Sequence, residues 1–414
     1  MSHLGAIADD FTGATDLATN LAKRGFQVVV VPEDSLDTTG RDDAQYEAVV
    51  VALKTRTAPV ATAVADSLRA LDYLESLGCE RFYDKYCSTF DSTEEGNICP
   101  ILDALDERLG ADTTVVVPSF PANGRTVANG VLSVNGELLE NSSMRNHPLT
   151  PMTKSRVAEI LTPQTTGTVS EIHSDTVDAG AEVLGAALSG VGTRYVVVDA
   201  STDEQLSTIA AATADSTLIS GGSGLALGLS PRTHGDAAPM AATTGRQLVL
   251  SGSASTATRG QVASATSTLP FYKIDIEKLA ADRDAARADA LGWISAQTAE
   301  APVLVYAVDS LDDLELSRSM SVDVSELVEW LLGEIAIATV SELGFTRIIV
   351  AGGETSGSVV KALGIDRLII GPEIAPGVCW SSGTTNTGVA VNLALKSGNF
   401  GAPDMFSTAW KELA

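Results

Sequence analysis

Short apolar runs rich in β-branched residues alternate with alanine-rich stretches of helical periodicity along most of this chain, and few folds tolerate that rhythm. The runs fall at 4–8, 27–31, 48–53, 114–117, 195–198 and 217–220, then at 247–250, 302–307, 347–350 and 367–370. Each has the length of a buried strand, and the stretches between them can return a helix across a sheet. The pattern predicts an α/β protein of mostly parallel sheets flanked by helices. At 414 residues the chain exceeds one ordinary core, and its 44% apolar content can fill two. Between 230 and 246 the text SPRTHGDAAPMAATTGR lacks periodicity and is rich in Pro, Gly, Thr and Ala, so the domains are read as 1–235 and 246–414.

The first apolar run ends in IADDFTGATDLA, where Asp9 and Asp10 precede a helical repeat. In open α/β sheets a strand-to-helix turn of this kind lies at the carboxyl ends of the strands, where ligands bind. A helix cap accounts for one of the two carboxylates. Further polar text follows other strands. LKTRTAP carries Lys54 and Arg56, FYDKYCSTFDSTEEGN carries Lys85 and Asp91-Ser92-Thr93, and PSFPANGRTVANG carries Asn123 and Arg125. Any one basic residue here could be a surface ion pair. Repeated at strand ends in a chain of net charge −26, they imply a local anion site. An arginine fork suits a carboxylate, and a lysine offers a point charge.

Two places in the second half share another design, QLVLSGSASTATRGQVA and RIIVAGGETSGSVVKALG. Each reads as strand, glycine and hydroxyl turn, then helix, which presents backbone N–H groups to an anion. Tight βα connections explain either one alone. Two in one domain suggest a nucleotide, although neither matches the GxxxxGK[ST] loop. A third turn, ISGGSGLALG from Ile219, is a loose variant of the dinucleotide fingerprint with altered spacing. The segment 280–299 and the acidic 309–315 read as a solvated helix and loop without chemistry.

The acidic balance argues against nucleic-acid binding. The absence of a long apolar span and of a basic, apolar leader leads to the expectation of a soluble, cytoplasmic protein. Cys79, Cys87, Cys99 and Cys379 have neither CxxC spacing nor nearby histidines, which disfavours zinc and a disulfide framework. His147 lies in the proline-bounded RNHPLTPMT and could line a pocket, while His3, His173 and His234 carry no assigned role.

IADDFTGATDLA, KYCSTFDSTEEGN, PSFPANGRTVANGVLSVNGELL, NHPLTPMT, SGSAS, VAGGETSG and APGVCW with SGNFG together resemble the four-carbon acid sugar kinase family. Within that family, KYCSTFDST with GNI and NHPLTPMT resemble the 3-oxo-tetronate branch. The resemblance implies an amino-terminal sugar-acid domain and a carboxyl-terminal ATP domain, with the active site in the cleft between them. It also implies transfer of the γ-phosphoryl group to the C4 hydroxyl. Asp10 is then the expected base, with Asp91 as the alternative and Lys85 beside them. Asp9, Arg56, Ser92, Thr93, Asn123 and Arg125 would hold the acid. Ser253, Ser255, Gly352, Gly353, Glu354, Thr355 and Gly398 would hold ATP, accompanied by Mg²⁺, with the metal ligands unassigned. A threonate or erythronate kinase of the same family is the nearest alternative. A nicotinamide-dependent dehydrogenase and a non-enzymatic sugar-acid sensor are readings of other classes. A homodimer is open, and a 4-phosphorylated β-keto product suggests a downstream decarboxylase.

Overall fold

The computed structural model describes residues 3–38, 43–147, 150–231, 240–298 and 301–413. The chain divides into two compact units, Met1–Ala238 and Pro239–Ala414. Most of the segment read as a boundary, His234, and Pro148-Leu149 of the NHPLTPMT motif lie outside the described residues.

In the first unit the strands are β1 (His3–Ala8), β2 (Val28–Pro32), β3 (Ala48–Ala52), β4 (Cys79–Lys85), β5 (Thr114–Val117), β6 (Arg125–Ala128), β7 (Val131–Val134), β8 (Glu137–Leu138), β9 (Val169–Ile172), β10 (Tyr195–Val198) and β11 (Leu218–Gly221). The main sheet runs β2-β3-β1-β4-β11-β5-β10-β9, every neighbour parallel. VVVV in β2 and VVV in β3 are buried throughout, as strands covered by helices on both faces must be. β6, β7 and β8 form a separate antiparallel sheet from the text GRTVANGVLSVNGEL. Asn129-Gly130 and Asn135-Gly136, all at positive φ, turn its hairpins.

The connection from β1 leads toward β2, whereas that from its neighbour β4 leads toward β5, so the sheet reverses direction between them. Register makes this reversal a site. Ala8 of β1 pairs with Ala52 and Lys85, and Gly221 pairs with Lys85 and Val117, so these strand ends lie level in one row. Such a switch point opens a crevice at the carboxyl ends of the strands.

The second unit repeats the arrangement with β12 (Arg246–Ser251), β13 (Phe271–Lys273), β14 (Val303–Tyr306), β15 (Phe345–Ala351), β16 (Leu368–Ala375), β17 (Val378–Thr384) and β18 (Ala390–Lys396), ordered β13-β14-β12-β15-β18-β17-β16. β12 leads toward β13 and β14, and β15 leads the other way, which creates a second switch point. Ser251, Ala351 and Lys396 end their strands in register. β17 is antiparallel to both neighbours, so the run at 367–370 opens a longer hairpin strand, Leu368–Ala375. Its core gathers Val249, Leu304, Ile349, Trp380, Phe406 and Trp410. The Trp380 indole N–H donates to the Ala409 carbonyl at 3.0 Å, so this buried ring keeps its hydrogen bond.

Candidate active site

Asp10 caps the helix Phe11–Lys23, its carboxylate accepting from the Gly13 N–H at 2.6 Å and from the Thr12 hydroxyl at 3.2 Å. It is therefore a cap, as the local sequence suggests, but it is also more. Arg56 places Nε and Nη2 at 2.8 Å from the two Asp9 oxygens and Nη1 at 3.0 Å from Asp10. In this arrangement the fork expected to hold a substrate carboxylate holds Asp9 and ties Asp9 to Asp10. Gly13 is needed here because a side chain would overlap Asp10 Oδ1 and come within 2.8 Å of the Lys85 ammonium.

Burial raises the Asp10 carboxyl, but Arg56, Lys85, the Gly13 N–H and Thr12 together outweigh it, and the net shift is below the ordinary carboxylate range. Asp10 is thus an ionised hydrogen-bond acceptor at neutral pH. Lys85 is buried at the end of β4, and its carbonyl accepts from the Asp9 N–H at 3.0 Å.

Phe90 is buried at φ 54 with its ring edge-on to Tyr86 at 5.1 Å. A bulky residue in the left-handed region is costly and marks a loop whose shape is imposed. The next residue, Asp91, is buried with no hydrogen-bond partner for Oδ1 among the described residues. Ser92 Oγ accepts from Gln164 Nε2 at 2.9 Å, and the Thr93 carbonyl accepts from the same nitrogen at 2.8 Å. After β5, Asn123 buries an Nδ2 that has no partner among the described residues, while its carbonyl accepts from the Arg125 guanidinium. Ser119 Oγ is likewise buried and, among the described residues, unpartnered. Buried polar atoms are nearly always satisfied, so an acceptor and two donor groups left open after β4 and β5 fit a polar ligand.

Several contributors escaped sequence reading. Asn97 donates to the carbonyls of Thr55 at 2.7 Å and Ala58 at 2.8 Å, clamping the loop that carries Arg56. The GNI text that marks the resemblance contained it, without revealing its partner. Asp16 accepts from the Ser223 hydroxyl, and burial pushes its carboxyl up against the opposing pull of Lys85. The GGSG turn itself is structural. Side chains at Gly221 and Gly222 would press within 2.7 Å of the Val117 and Pro118 carbonyls, and one at Gly224 would overlap that of Ser119. Its glycines admit neighbouring backbone rather than a dinucleotide. His147 uses Nδ1 on Thr150 of its own loop, at 2.8 Å from the hydroxyl, and His3 Nδ1 lies 2.7 Å from the Tyr46 carbonyl.

In the second unit the expected nucleotide residues converge. Gly252, Ser253, Gly352, Gly353, Glu354, Thr355 and Gly398 line one pocket of about 280 Å³, close to the lower end of small-molecule sites. Ser255 caps the helix Thr256–Thr266, accepting from Thr258 N–H at 3.1 Å and donating to the Gly398 carbonyl. A side chain at Gly398 would come within 2.6 Å of Ser253 Oγ and 2.9 Å of Ser255 Cβ, so the two turns require glycine to meet. Gly352 sits at φ 125, and the helix Gly353–Ala362 starts immediately after it. Apolar side chains of Ile276, Val308, Leu314, Val324 and Val328 line the same pocket. Leu314 and Ser317 belong to the helix Leu311–Ser319, so the acidic stretch assigned no chemistry helps form this site. A pocket lined by both glycine-hydroxyl turns and apolar side chains has the mixed chemistry of a small-molecule site. Among the described residues, no group of three or more His, Cys, Asp or Glu side chains is arranged to hold a metal ion. No described helix is long and apolar enough to cross a membrane.

These two units are those of a sugar-binding and nucleotide-binding protein. The sugar-binding N-terminal domain model matches residues 4–229, and the nucleotide-binding C-terminal domain model matches 248–406. The chain belongs to the four-carbon acid sugar kinase family. It is 45% identical to a 3-oxo-tetronate kinase of Brucella melitensis, covering 99% of this chain and 95% of that one. To a 3-oxo-tetronate kinase of Cupriavidus necator it is 44% identical, covering 99% and 97%. A solved structure from Salmonella typhimurium LT2 is similar at TM-score 0.86 and 40% identity over 98% of both chains.

Proposed function

We propose that this protein is an ATP-dependent kinase that phosphorylates the C4 hydroxyl of 3-oxo-tetronate. The observation that carries the reading is full-length similarity to relatives bearing that name, at 45% identity over 99% of the chain. The chemistry of the two sites supports it. Phosphoryl transfer through a loose transition state asks chiefly for positioning and charge neutralisation, and little for a strong base. A carboxylate held ionised by Arg56 and Lys85 suits that demand. In this reading Asp10 accepts the C4 hydroxyl proton and orients its oxygen, and Arg56 and Asp9 fix the Asp10 carboxylate. Lys85 offers charge to the anionic reactants, and Asp91 is the second acceptor. Ser92, its oxygen already accepting from Gln164, has its proton to give to the C3 carbonyl, with Thr93 alongside. Asn123 and Arg125 hold the far oxygens of the acid.

ATP occupies the Ser253–Ser255, Gly352–Thr355 and Gly398 pocket. Mg²⁺ would accompany the nucleotide, and since no carboxylate cluster among the described residues is arranged to hold a metal, phosphate oxygens and water would supply most of its ligands. When bound, the cation offsets charge on the phosphates. We also infer a cytoplasmic enzyme, leave a homodimer open, and expect a decarboxylase to consume the β-keto acid product. The domain limits 1–235 and 246–414 belong to the same proposal.

The test is product identification by phosphorus NMR after incubation with ATP, Mg²⁺ and 3-oxo-tetronate. A new phosphomonoester coupled to the C4 methylene protons is expected. ATP hydrolysis to inorganic phosphate alone, or no reaction, would refute the proposal.

A further inference from the structure

The nucleotide pocket has a feature unusual for a triphosphate site: among the described residues its lining includes Glu329 and Glu354 but no lysine or arginine. Helix amino termini and backbone N–H groups supply partial positive charge, but ATP brings several full negative charges. A lysine does stand close behind the wall. Lys396 ends β18, is fully buried, and donates from Nζ to Thr258 Oγ1 at 2.9 Å and to the Gly398 carbonyl at 3.2 Å. Thr258 Oγ1 in turn donates to the same carbonyl at 2.8 Å, and Ser255 Oγ does so as well. Gly398 lines the pocket, so this ammonium is hydrogen-bonded to a residue of the pocket wall.

The surroundings of Lys396 are neutral. The partners are Thr258 from the helix Thr256–Thr266 and the carbonyl of its own loop, and Ala351 is its paired position on β15. Among the described residues it makes no ion pair. Burial alone pushes the ammonium down to about 7, with no carboxylate offsetting it, and neither Glu329 nor Glu354 contributes. A buried charge without a counter-ion is costly, and proteins keep one where a ligand completes the pair.

Resting on the reading of this pocket as the ATP site, we infer that Lys396 is the counter-charge to the nucleotide's phosphates and the positioning residue that fixes Gly398 against the Ser253–Ser255 turn. The ligand therefore supplies the missing anion, and binding draws a proton onto Lys396.

Isothermal titration of ATP with Mg²⁺ into the wild-type protein at pH 8, in buffers of different ionisation enthalpy, counts that proton. At pH 8 free Lys396 is mostly neutral, so uptake of roughly 0.5–0.9 proton per ATP is expected. Lys396→Met should abolish the uptake and weaken ATP by about 30-fold or more, with the KM of the acid within about twofold. At pH 6, where the unliganded ammonium is mostly charged, the same variant should melt higher than wild type without nucleotide, because it removes an uncompensated buried charge. A merely structural lysine would give the opposite sign. Lys396→Arg should recover part of the ATP affinity without the proton uptake. Absence of saturable ATP binding by wild type would overturn the nucleotide reading itself. Tight binding with no proton uptake by wild type would overturn the role of Lys396 alone, whether or not the variants fold, and so would unchanged ATP affinity in a folded Lys396→Met.

Discussion

Asn97 offers a sharp test of how the first unit aims its carboxylates. Its Nδ2 makes two short hydrogen bonds, to the carbonyls of Thr55 and Ala58, and a longer one to that of Arg56 at 3.4 Å. Asn97 is 6% exposed, so little water is at hand to replace them. Each is worth about 1 kcal/mol net and more if its carbonyl stays dry, giving roughly 2–3 kcal/mol for Asn97→Ala. The loop it clamps carries the guanidinium that binds Asp9 and Asp10, so part of this loss falls on the alignment of the proposed base. We expect kcat/KM for the acid to drop about 10–100-fold, at ~1.4 kcal/mol per tenfold. Every contact removed lies in the first unit, so the KM for ATP should stay within about twofold. Asn97→Asp should be at least as damaging, because it sets an acceptor against carbonyl oxygens. Steady-state kinetics varying each substrate, with thermal unfolding of each variant, reads all three quantities. Wild-type kcat/KM in Asn97→Ala, or equal losses on acid and ATP, would refute the clamp.

Asp10→Asn keeps the cap, since asparagine caps well, but should lower kcat by roughly 100-fold or more as the acceptor of the hydroxyl proton is lost. Unchanged turnover would return Asp10 to capping alone and direct attention to Asp91. The same substitution has a pH signature in stability. The folded Asp10 carboxyl titrates below its ordinary value of 3.8, so its stabilising contribution is complete above that value and lost as pH falls through the lower folded one. The destabilisation of Asp10→Asn, measured by urea unfolding, should therefore be larger at pH 7 than at pH 3. In the second unit, Gly353→Val should raise the KM for ATP at least about tenfold more than that for the acid, because a side chain at the first residue of the helix blocks close approach of phosphate. Comparable rises for both would dissociate this turn from ATP.

Local signals made the frame legible in sequence. Continuous valine runs such as 28–31 and 49–51 can only be buried strands here, and glycine-hydroxyl turns after 250 and 351 announced the cradle. Strand β4 was harder to read, because CERFYDK mixes charge into a central strand whose Asp84 and Lys85 are buried by tertiary context. The same reason hides Lys396: a lysine after an apolar run looks like a surface residue until Thr258, 138 positions away, closes over it. The fork of Arg56 onto Asp9 spans 47 positions and Asn97 reaches Thr55 across 42, distances at which no periodicity speaks. Leu314 sits in an acidic helix with no buried residue, so its pattern reads as solvent-facing although it lines the pocket.

The most direct measurement is ATP-dependent turnover across a panel of 3-oxo-tetronate, threonate and erythronate under identical conditions. Hydrogen-bond donors directed at a C3 carbonyl discriminate against a hydroxyl of either configuration by about 1–3 kcal/mol. The 3-oxo acid is therefore expected to exceed both hydroxy acids by at least about tenfold in kcat/KM. Preference for threonate or erythronate, or equal rates on all three, would contradict the assignment of this protein's substrate.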